Sequence, residues 1–469
     1  MKTYQDLLTV KDDEKSRADF VRQVINEYKT TEMYRVAADA FEYDKCRNTT
    51  TMQYQKMITT LTGQKVADPI ATVHRSTSNF FNLFTTQLNQ YLLGNGVSWT
   101  DAGTENALPA NFDTRLQKGG KSALVGGVAW GYYNPANPDP LKIFTAMEYA
   151  PLVDEETGEY PSGVRFWQID NSKPLRGQLF EPDGMTSYLW TSKDEPSEQW
   201  QKIETGVYFL PKQPYVVEVV GDAKDRADGT METRPGEPLP GFPVIPLWGN
   251  PNHQSELVGM KEKIDAYDFI LNGWEDDLDN AQLYWVISGA GGMDDPDLVR
   301  FLDRLRTVGA VAPEAGQTVT PVEVNIPVEA RNTLLDRLER QLYKDAMVMN
   351  PSDIVGGAST ATQIRAAYEP QNVKADQFEY CVIEFIDGIL KLAGIEDEPT
   401  FTRSTIVNTQ EEVQTLVQAA PYLGEDYVTE KILTLLGDGD KADEIIKTRD
   451  ADSITRLGNI TPEDVIPDA

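Results

Sequence analysis

Histidine and cysteine are nearly missing from this chain of 469 residues, which has two of each: His74, His253, Cys46 and Cys381. A Ser-His-Asp triad or a His-rich metal centre therefore has almost no material to be built from. One distant cysteine pair is no disulfide framework, and two inert thiols in a reducing compartment are expected. Long apolar runs are missing too. No stretch of about eighteen apolar residues occurs, so no membrane span is expected. The opening MKTYQDLLTVKDDEKSRADF is polar and lacks an apolar signal core, which leaves no mark for secretion. Positive charge is the third shortage. Forty-three Lys and Arg face 74 Asp and Glu, a net charge of -31. Affinity for DNA rests on Lys and Arg displacing counterions, so the imbalance excludes a tight DNA gripper. It does not exclude a surface along which DNA slides.

Nucleotide and metal motifs are absent as well. No G-x-x-x-x-G-K-[ST] occurs, so no P-loop binds ATP. Gly289-Ala290-Gly291-Gly292 has the wrong spacing for a dinucleotide fingerprint. Asp438-Gly439-Asp440 begins like a calcium loop, but Ala442 stands at the next ligand position. No cofactor and no metal are expected.

What is present is a succession of differently patterned segments. Glu14 to Asp44 reads as helical, with Phe20, Val24, Tyr28, Met33, Ala37 and Ala40 at helical spacing. A second helix is predicted from about Ile70 to Leu93, carrying His74 and ending at Gly94. From Ala123 to Gly249, short β-branched and aromatic runs such as GVRFWQID and YVVEVV alternate with turn residues and read as strands. After a loop, with Ser255 as a candidate N-cap, Leu257, Met260, Ile264, Tyr267, Leu271, Trp274, Leu278 and Ala281 alternate spacings of three and four. This heptad seam predicts a helix over Glu256–Gln282, about 40 Å long at its ordinary rise. Its other faces are acidic, and Glu275-Asp276-Asp277-Leu278-Asp279 reads as an exposed, solvated stripe. LYWVISG then reads as a strand, DLVRFLDRLRT as a short helix and TVTPVEVNI as a second strand. Pro327 opens another helix, running to about Met349, with Leu335, Leu338, Leu342 and Ala346 on one side. The breaker-rich Asn350–Ala358 follows. The long helix from Ala361 to Leu392 contains Pro370, which should kink it. Shorter helices and an acidic tail close the chain.

Chemistry is hard to find in this pattern. Carboxylates are numerous enough to permit a carbohydrate hydrolase, with Trp167, Trp190 and Trp200 as sugar platforms. Catalytic carboxylates, however, come from separate elements around a pocket rather than from one stripe. A ring-shaped head-tail adaptor is a further alternative.

The order of segments, and the residues within them, resembles the SPP1-like portal proteins of tailed bacteriophages. The block around Pro243-Val244-Ile245, Asn250, Ser255 and Ile264-Asp265-Ala266-Tyr267 carries the likeness. So do MNPSDIVGGASTATQIRAAYEP with VKADQFEYCVIEFI, TFTRSTIVNTQEEVQTLV and, more loosely, RSTSNFFNLFTTQLNQYLLGNGVSW. Where the family often has Ser-Ser-Gly, this chain has Gly356-Gly357-Ala358-Ser359-Thr360. The resemblance implies an α+β portal fold: a mixed wing domain (1–255), two long stem helices (256–282 and 328–349) and a small β-α-β clip (283–327). A tunnel loop (350–360), a kinked tunnel-side helix (361–395) and a helical crown with acidic tail (396–469) complete it. It further implies a non-enzymatic cyclic homo-oligomer, a dodecamer, assembled in the host cytoplasm and placed at a capsid vertex of the virion. Double-stranded DNA would pass through it during packaging and ejection. The partners implied are further copies of the chain, the major capsid protein, the terminase large subunit and the head-tail adaptor, with no membrane. On this reading Asn350, Pro351, Ser352, Asp353, Ile354, Val355, Gly356 and Gly357 face DNA. Leu257, Ile264, Tyr267, Leu271, Trp274 and Leu278 form the stem seam. Arg300, Arg304 and Arg306 serve motor docking, and Pro370 is the kink.

Overall fold

The computed structural model of the chain describes residues 1–59, 63–68, 73–191, 199–220, 232–280, 285–288, 300, 318–321, 328–350, 352, 361–404, 409–436 and 445–448. With about 50% helix and 19% strand it is a mixed α+β fold. The chain divides into two compact units, Met1–Val348 with Gln371–Arg403, and Met349–Pro370 with Ser404–Ala469.

The first unit opens on helices α1 (Tyr4–Thr9), α2 (Glu14–Thr30) and α3 (Glu32–Asp44). The single helix expected over Glu14–Asp44 is broken at Thr31. That residue has extended backbone, its hydroxyl donates to the Tyr28 carbonyl, and it accepts from the Tyr34 amide. A threonine satisfies both ends at once because its short side chain reaches backbone on either side. Then come α4 (Thr49–Gln53), the ribbon β1 (Met57–Thr59) with β2 (Lys65–Ala67), and α5 (Phe80–Leu93). After α5 follow β3 (Val97–Trp99), α6 (Ala102–Ala107) and α7 (Phe112–Gly126).

The β-rich region is two antiparallel sheets and a ribbon. β4 (Val128–Tyr133) and β5 (Leu141–Thr145) pair, with β14 (Val244–Trp248) on the other side of β4. A six-stranded sheet, order β10-β11-β9-β8-β7-β6, is made of β6 (Tyr149–Leu152), β7 (Ser162–Trp167), β8 (Leu175–Glu181), β9 (Gly184–Trp190), β10 (Gln201–Glu204) and β11 (Val207–Gln213). β12 (Val217–Val220) and β13 (Glu232–Pro235) form the ribbon. Period-two alternation sorts the faces of the six-stranded sheet. Val164, Phe166, Leu179, Tyr188 and Trp190 pack against Phe20, Val21, Val24 and Ile25 of α2. On the opposite face Phe180 and Met185 meet Trp130, Tyr132 and Phe144 of the smaller sheet.

The remaining long helices are α8 (Lys261–Asn280), α9 (Val328–Ala346) and α10 (Ala361–Ala393). α8 begins five residues later than the heptad pattern predicts because Gly259 adopts φ +82, which no right-handed helix accommodates. α9 stops at Ala346 rather than near Met349. Met347 turns left-handed (φ 53), and the Val348 amide bonds back to the Tyr343 carbonyl, a helix stop made without glycine. Between α8 and α9, β15 (Trp285–Ser288) pairs antiparallel with β16 (Thr318–Pro321). α10 is one helix with Pro370 inside it, and the division between the two units falls at Pro370/Gln371. Its later half packs on the three-stranded sheet: a Cβ added to Gly131 would lie 2.4 Å from the Phe385 ring, so only glycine fits there. β17 (Pro399–Phe401) pairs with β3. The second unit includes α11 (Thr409–Leu423) and α12 (Glu425–Leu436). Among the described residues no helix is long and apolar enough to cross a membrane.

Candidate functional site

The two heptad-bearing helices form an antiparallel hairpin. Lys263, early in α8, pairs with Asp345, late in α9, and Arg331, early in α9, bonds Asp277 (2.5 Å), late in α8. Ion pairs at both ends fix direction and register, although each is half-exposed and contributes little energy. In sequence, the β15–β16 pair lies between the two helices. Of the predicted seam, Leu257 and Ile264 are buried with Met260 in one cluster with Leu342, Ala346 and Val348. Tyr267 packs edge-on against Phe80 (5.0 Å between ring centres), whereas Leu271 and Trp274 are only half-covered by their own chain. The side chain of Leu278 lies outside the described residues.

The acidic faces of α8 are only partly the solvated stripe that the sequence suggests: Glu262 is exposed and Asp277 half-exposed, but other members are not. Asp265, Asp268, Asn272 and Asp276 are buried. Asp268, Asn272 and Asp276 stand one turn apart and accept backbone N–H bonds from Ser78 (2.9 Å), Ser76 (2.7 Å) and His74 (2.9 Å) in turn. Four helical residues advance about 6 Å, and two extended residues advance about 6.6 Å. Every second amide of an antiparallel extended segment therefore meets one helix side chain. The predicted helix over Ile70–Leu93 is thus corrected. Residues 74–78 run extended because the amides of His74, Ser76 and Ser78 bond to α8 rather than within a helix, and the helix begins at Phe80 after Asn79. His74 lies in this extended segment, its Nδ1 2.8 Å from Asp276. Asp268 additionally accepts from Asn48 (2.5 Å) and Thr51 (3.3 Å). Burial pushes its carboxyl above the usual carboxylate value, against the opposing pull of those hydrogen bonds. The Tyr43 hydroxyl donates to Asp265 (2.5 Å), and burial pushes the phenol up. Asn48, Thr51 and Asn272 were not singled out from the sequence. The available signal was Asp268-Asn272-Asp276 at i, i+4, i+8 against the alternation His74-x-Ser76-x-Ser78.

One junction ties the hairpin to α10. Lys374 pairs with Glu256 (2.6 Å), both nearly buried, and donates to the Ala346 carbonyl at the C-terminus of α9 (2.8 Å). A cation there also meets the negative end of the helix dipole. Asn250 donates to Glu256 and closes its own loop onto Gln254. Ser255 donates to the Val125 carbonyl and accepts from the Leu257 amide, so it caps a turn rather than α8 itself.

Of the predicted tunnel loop, Asn350 and Ser352 are described: the Asn350 side chain accepts from the Ser352 amide (3.0 Å) and hydroxyl (2.8 Å), an Asx turn. Pro351 and Asp353–Gly357 lie outside the described residues. Arg300 is exposed, and Arg304 and Arg306 also lie outside. Both cysteines are free thiols, and burial pushes Cys381 up to about 11. Among the described residues no group of His, Cys, Asp and Glu could hold a metal ion. Two of the three tryptophans that would form a hydrolase's aromatic platform lie on opposite faces of one sheet. Trp190 packs into the α2 face of the six-stranded sheet, and Trp167 lies on the opposite face, beside Arg165.

Comparison with known proteins gives the family of the chain. The family model "Phage portal protein, SPP1 Gp6-like" matches residues 39–434. The chain is 25% identical over 389 residues to the portal protein of Bacillus phage SPP1, covering 76% of this chain and 72% of that protein. It is 24% identical over 181 residues to the portal protein of Clostridium phage phiCD119, covering 36% and 40%. Chains in the virion of a native gene transfer agent particle (TM-score 0.40, 13% identity, 75% of this chain and 87% of that one) and in the neck of an empty particle (0.40, 13%, 76% and 89%) have a partly similar fold. The protein belongs to the SPP1-like phage portal family, a structural rather than an enzymatic one.

Proposed function

We propose that the chain is one subunit of a cyclic homo-oligomer, a dodecamer, at a capsid vertex, forming the conduit for double-stranded DNA during packaging and ejection. The carrying observation is family membership over residues 39–434. The helix hairpin supports it: a pair of long antiparallel helices with a strand pair between them in sequence leaves Leu271 and Trp274 half-covered, and neighbouring copies in a ring would cover them. On this reading α8 and α9 are stem helices and β15–β16 belong to the clip, where terminase and the head-tail adaptor dock with Arg300, Arg304 and Arg306 nearby. Residues 350–360 reach toward DNA, Pro370 bends the tunnel-side helix, the N-terminal and β-rich part faces the major capsid protein, and the helices after 396 form the crown. The acidic composition fits a channel that does not hold DNA in a deep electrostatic well. Imaging and native mass measurement of the purified full chain test the reading: a closed ring supports it, and a strict monomer across the micromolar range refutes it.

A further inference from the structure

A cleft lies between the two sheets. It has a cavity volume of about 580 Å³, within the range typical of small-ligand pockets. Its floor is the face of the six-stranded sheet that carries Arg165 and Gln178, paired directly across β7 and β8. Its other wall carries Tyr132, Lys142 and Phe144, where Lys142 lies opposite Tyr132 across β5 and β4. Arg165 is held rigidly, its guanidinium 4.3 Å from the Phe144 ring centre and 4.4 Å from that of Trp167.

This guanidinium lacks the partners that its burial calls for. Its Nε is buried without a hydrogen bond, and among the described residues its bond is a long 3.4 Å contact to Gln178. Among the described residues no carboxylate lies within ion-pair distance. The nearest one that acts on it, Glu148, accepts instead from the Thr145 amide and hydroxyl. Burial accordingly pulls the Arg165 pKa down from its ordinary value. Lys142 has neither an ion pair nor a hydrogen bond among the described residues. Tyr132 accepts from Asn134 and Asn137 but donates its own proton to no acceptor among them. In a chain of net charge -31, unpaired cations facing one cavity are unusual. Lys212, by contrast, also lines the cleft and is already matched by Glu181 and Asp183.

We propose that this cleft binds a carboxylate, held bidentate by the Arg165 fork, countered by the Lys142 ammonium and hydrogen-bonded by the Tyr132 hydroxyl, with its organic body against Phe144, Phe180 and Met185. A planar carboxylate matches the guanidinium fork. Glu148, the carboxylate that acts on Arg165, disfavours a phosphate dianion more than a monoanionic carboxylate. The carboxylate comes either from a free small acid or from a Glu or Asp side chain of another polypeptide. Calorimetric titration of the full chain with glutarate, with the blocked tripeptide acetyl-Gly-Glu-Gly-amide and with inorganic phosphate tests the site. Saturable binding of a carboxylate probe is expected, weakened about tenfold or more by Arg165→Gln and about threefold by Lys142→Gln, as loss of a charge-assisted bond requires. Tighter binding of glutarate assigns a free acid, and tighter binding of the tripeptide assigns a side chain. If Arg165→Gln disturbs folding, the half-buried Lys142→Gln decides. Absence of saturable binding to the unaltered chain, affinity unchanged in Lys142→Gln, or phosphate binding as tightly as carboxylate overturns the proposal.

Discussion

Asp268 concentrates the residue-scale physics of this protein. A carboxylate buried on a helix would ordinarily be a liability, and here three donors, Asn48, Thr51 and Ser78, converge on it. Asp268→Ala leaves those donors without their acceptor, and a loss of about 2–4 kcal/mol of unfolding free energy is expected in urea denaturation. The group also carries a pH signature. Its pKa is raised in the folded chain, so folding takes up a proton between the ordinary value of 3.8 and that raised value. Its contribution is most favourable below 3.8 and is lost as pH rises through the folded pKa. Asp268→Asn should remove this part of the stability–pH slope, measured by denaturation at stepped pH. An unchanged slope would show that another carboxyl carries it.

At the scale of elements, the helix hairpin is held at its base by Lys374 and along its length by the seam. Lys374→Met strands the Glu256 carboxylate, and a loss of about 3–5 kcal/mol is expected, as for other broken buried pairs. The double variant Lys374→Met/Glu256→Gln should recover much of that loss, because no buried charge is then left alone. Equal destabilisation by single and double variants would show that packing, not charge, governs the junction. Leu271→Asp places a charge in the half-covered seam of α8 and should lower stability by about 2 kcal/mol and shift the particle toward smaller species. Light scattering after size exclusion and a thermal melt read both effects. An unchanged melt together with unchanged assembly would contradict a seam role.

For the whole molecule, family membership makes assembly the function, so informative changes are those that separate assembly from DNA movement. Removing Pro351–Gly357 is expected to leave the ring intact and to impair packaging, read as protected DNA per particle in an in vitro packaging reaction. Full packaging by that deletion would refute a DNA-facing role for 350–360. The seam substitution should act the other way, lowering packaging only in proportion to the rings lost.

Periodicity was enough to reveal α8, α9, α10, the strand texture of the β-rich region and the existence, though not the mutual pairing, of the strands Trp285–Ser288 and Thr318–Pro321, because apolar spacing is a local record of which face is buried. The order of these segments, with the Pro243–Ile245, Asn250, Ser255 and Ile264–Tyr267 block, was also enough to reveal the family. Features decided by partners distant in the chain were illegible. The extended path of 74–78 depends on acceptors some 200 residues later, so its helical appearance misled. The burial of Asp265, Asp268 and Asp276 depends on Tyr43, Asn48, Thr51 and the amides of His74–Ser78, so these three members of an acidic helix belong to an internal polar seam while Asp277 stays half-exposed. Local pattern reports how much of a residue is hidden from water on average. Which donor meets which acceptor is a property of the folded contacts alone, because a hydrogen bond acts over about 3 Å and is indifferent to separation along the chain.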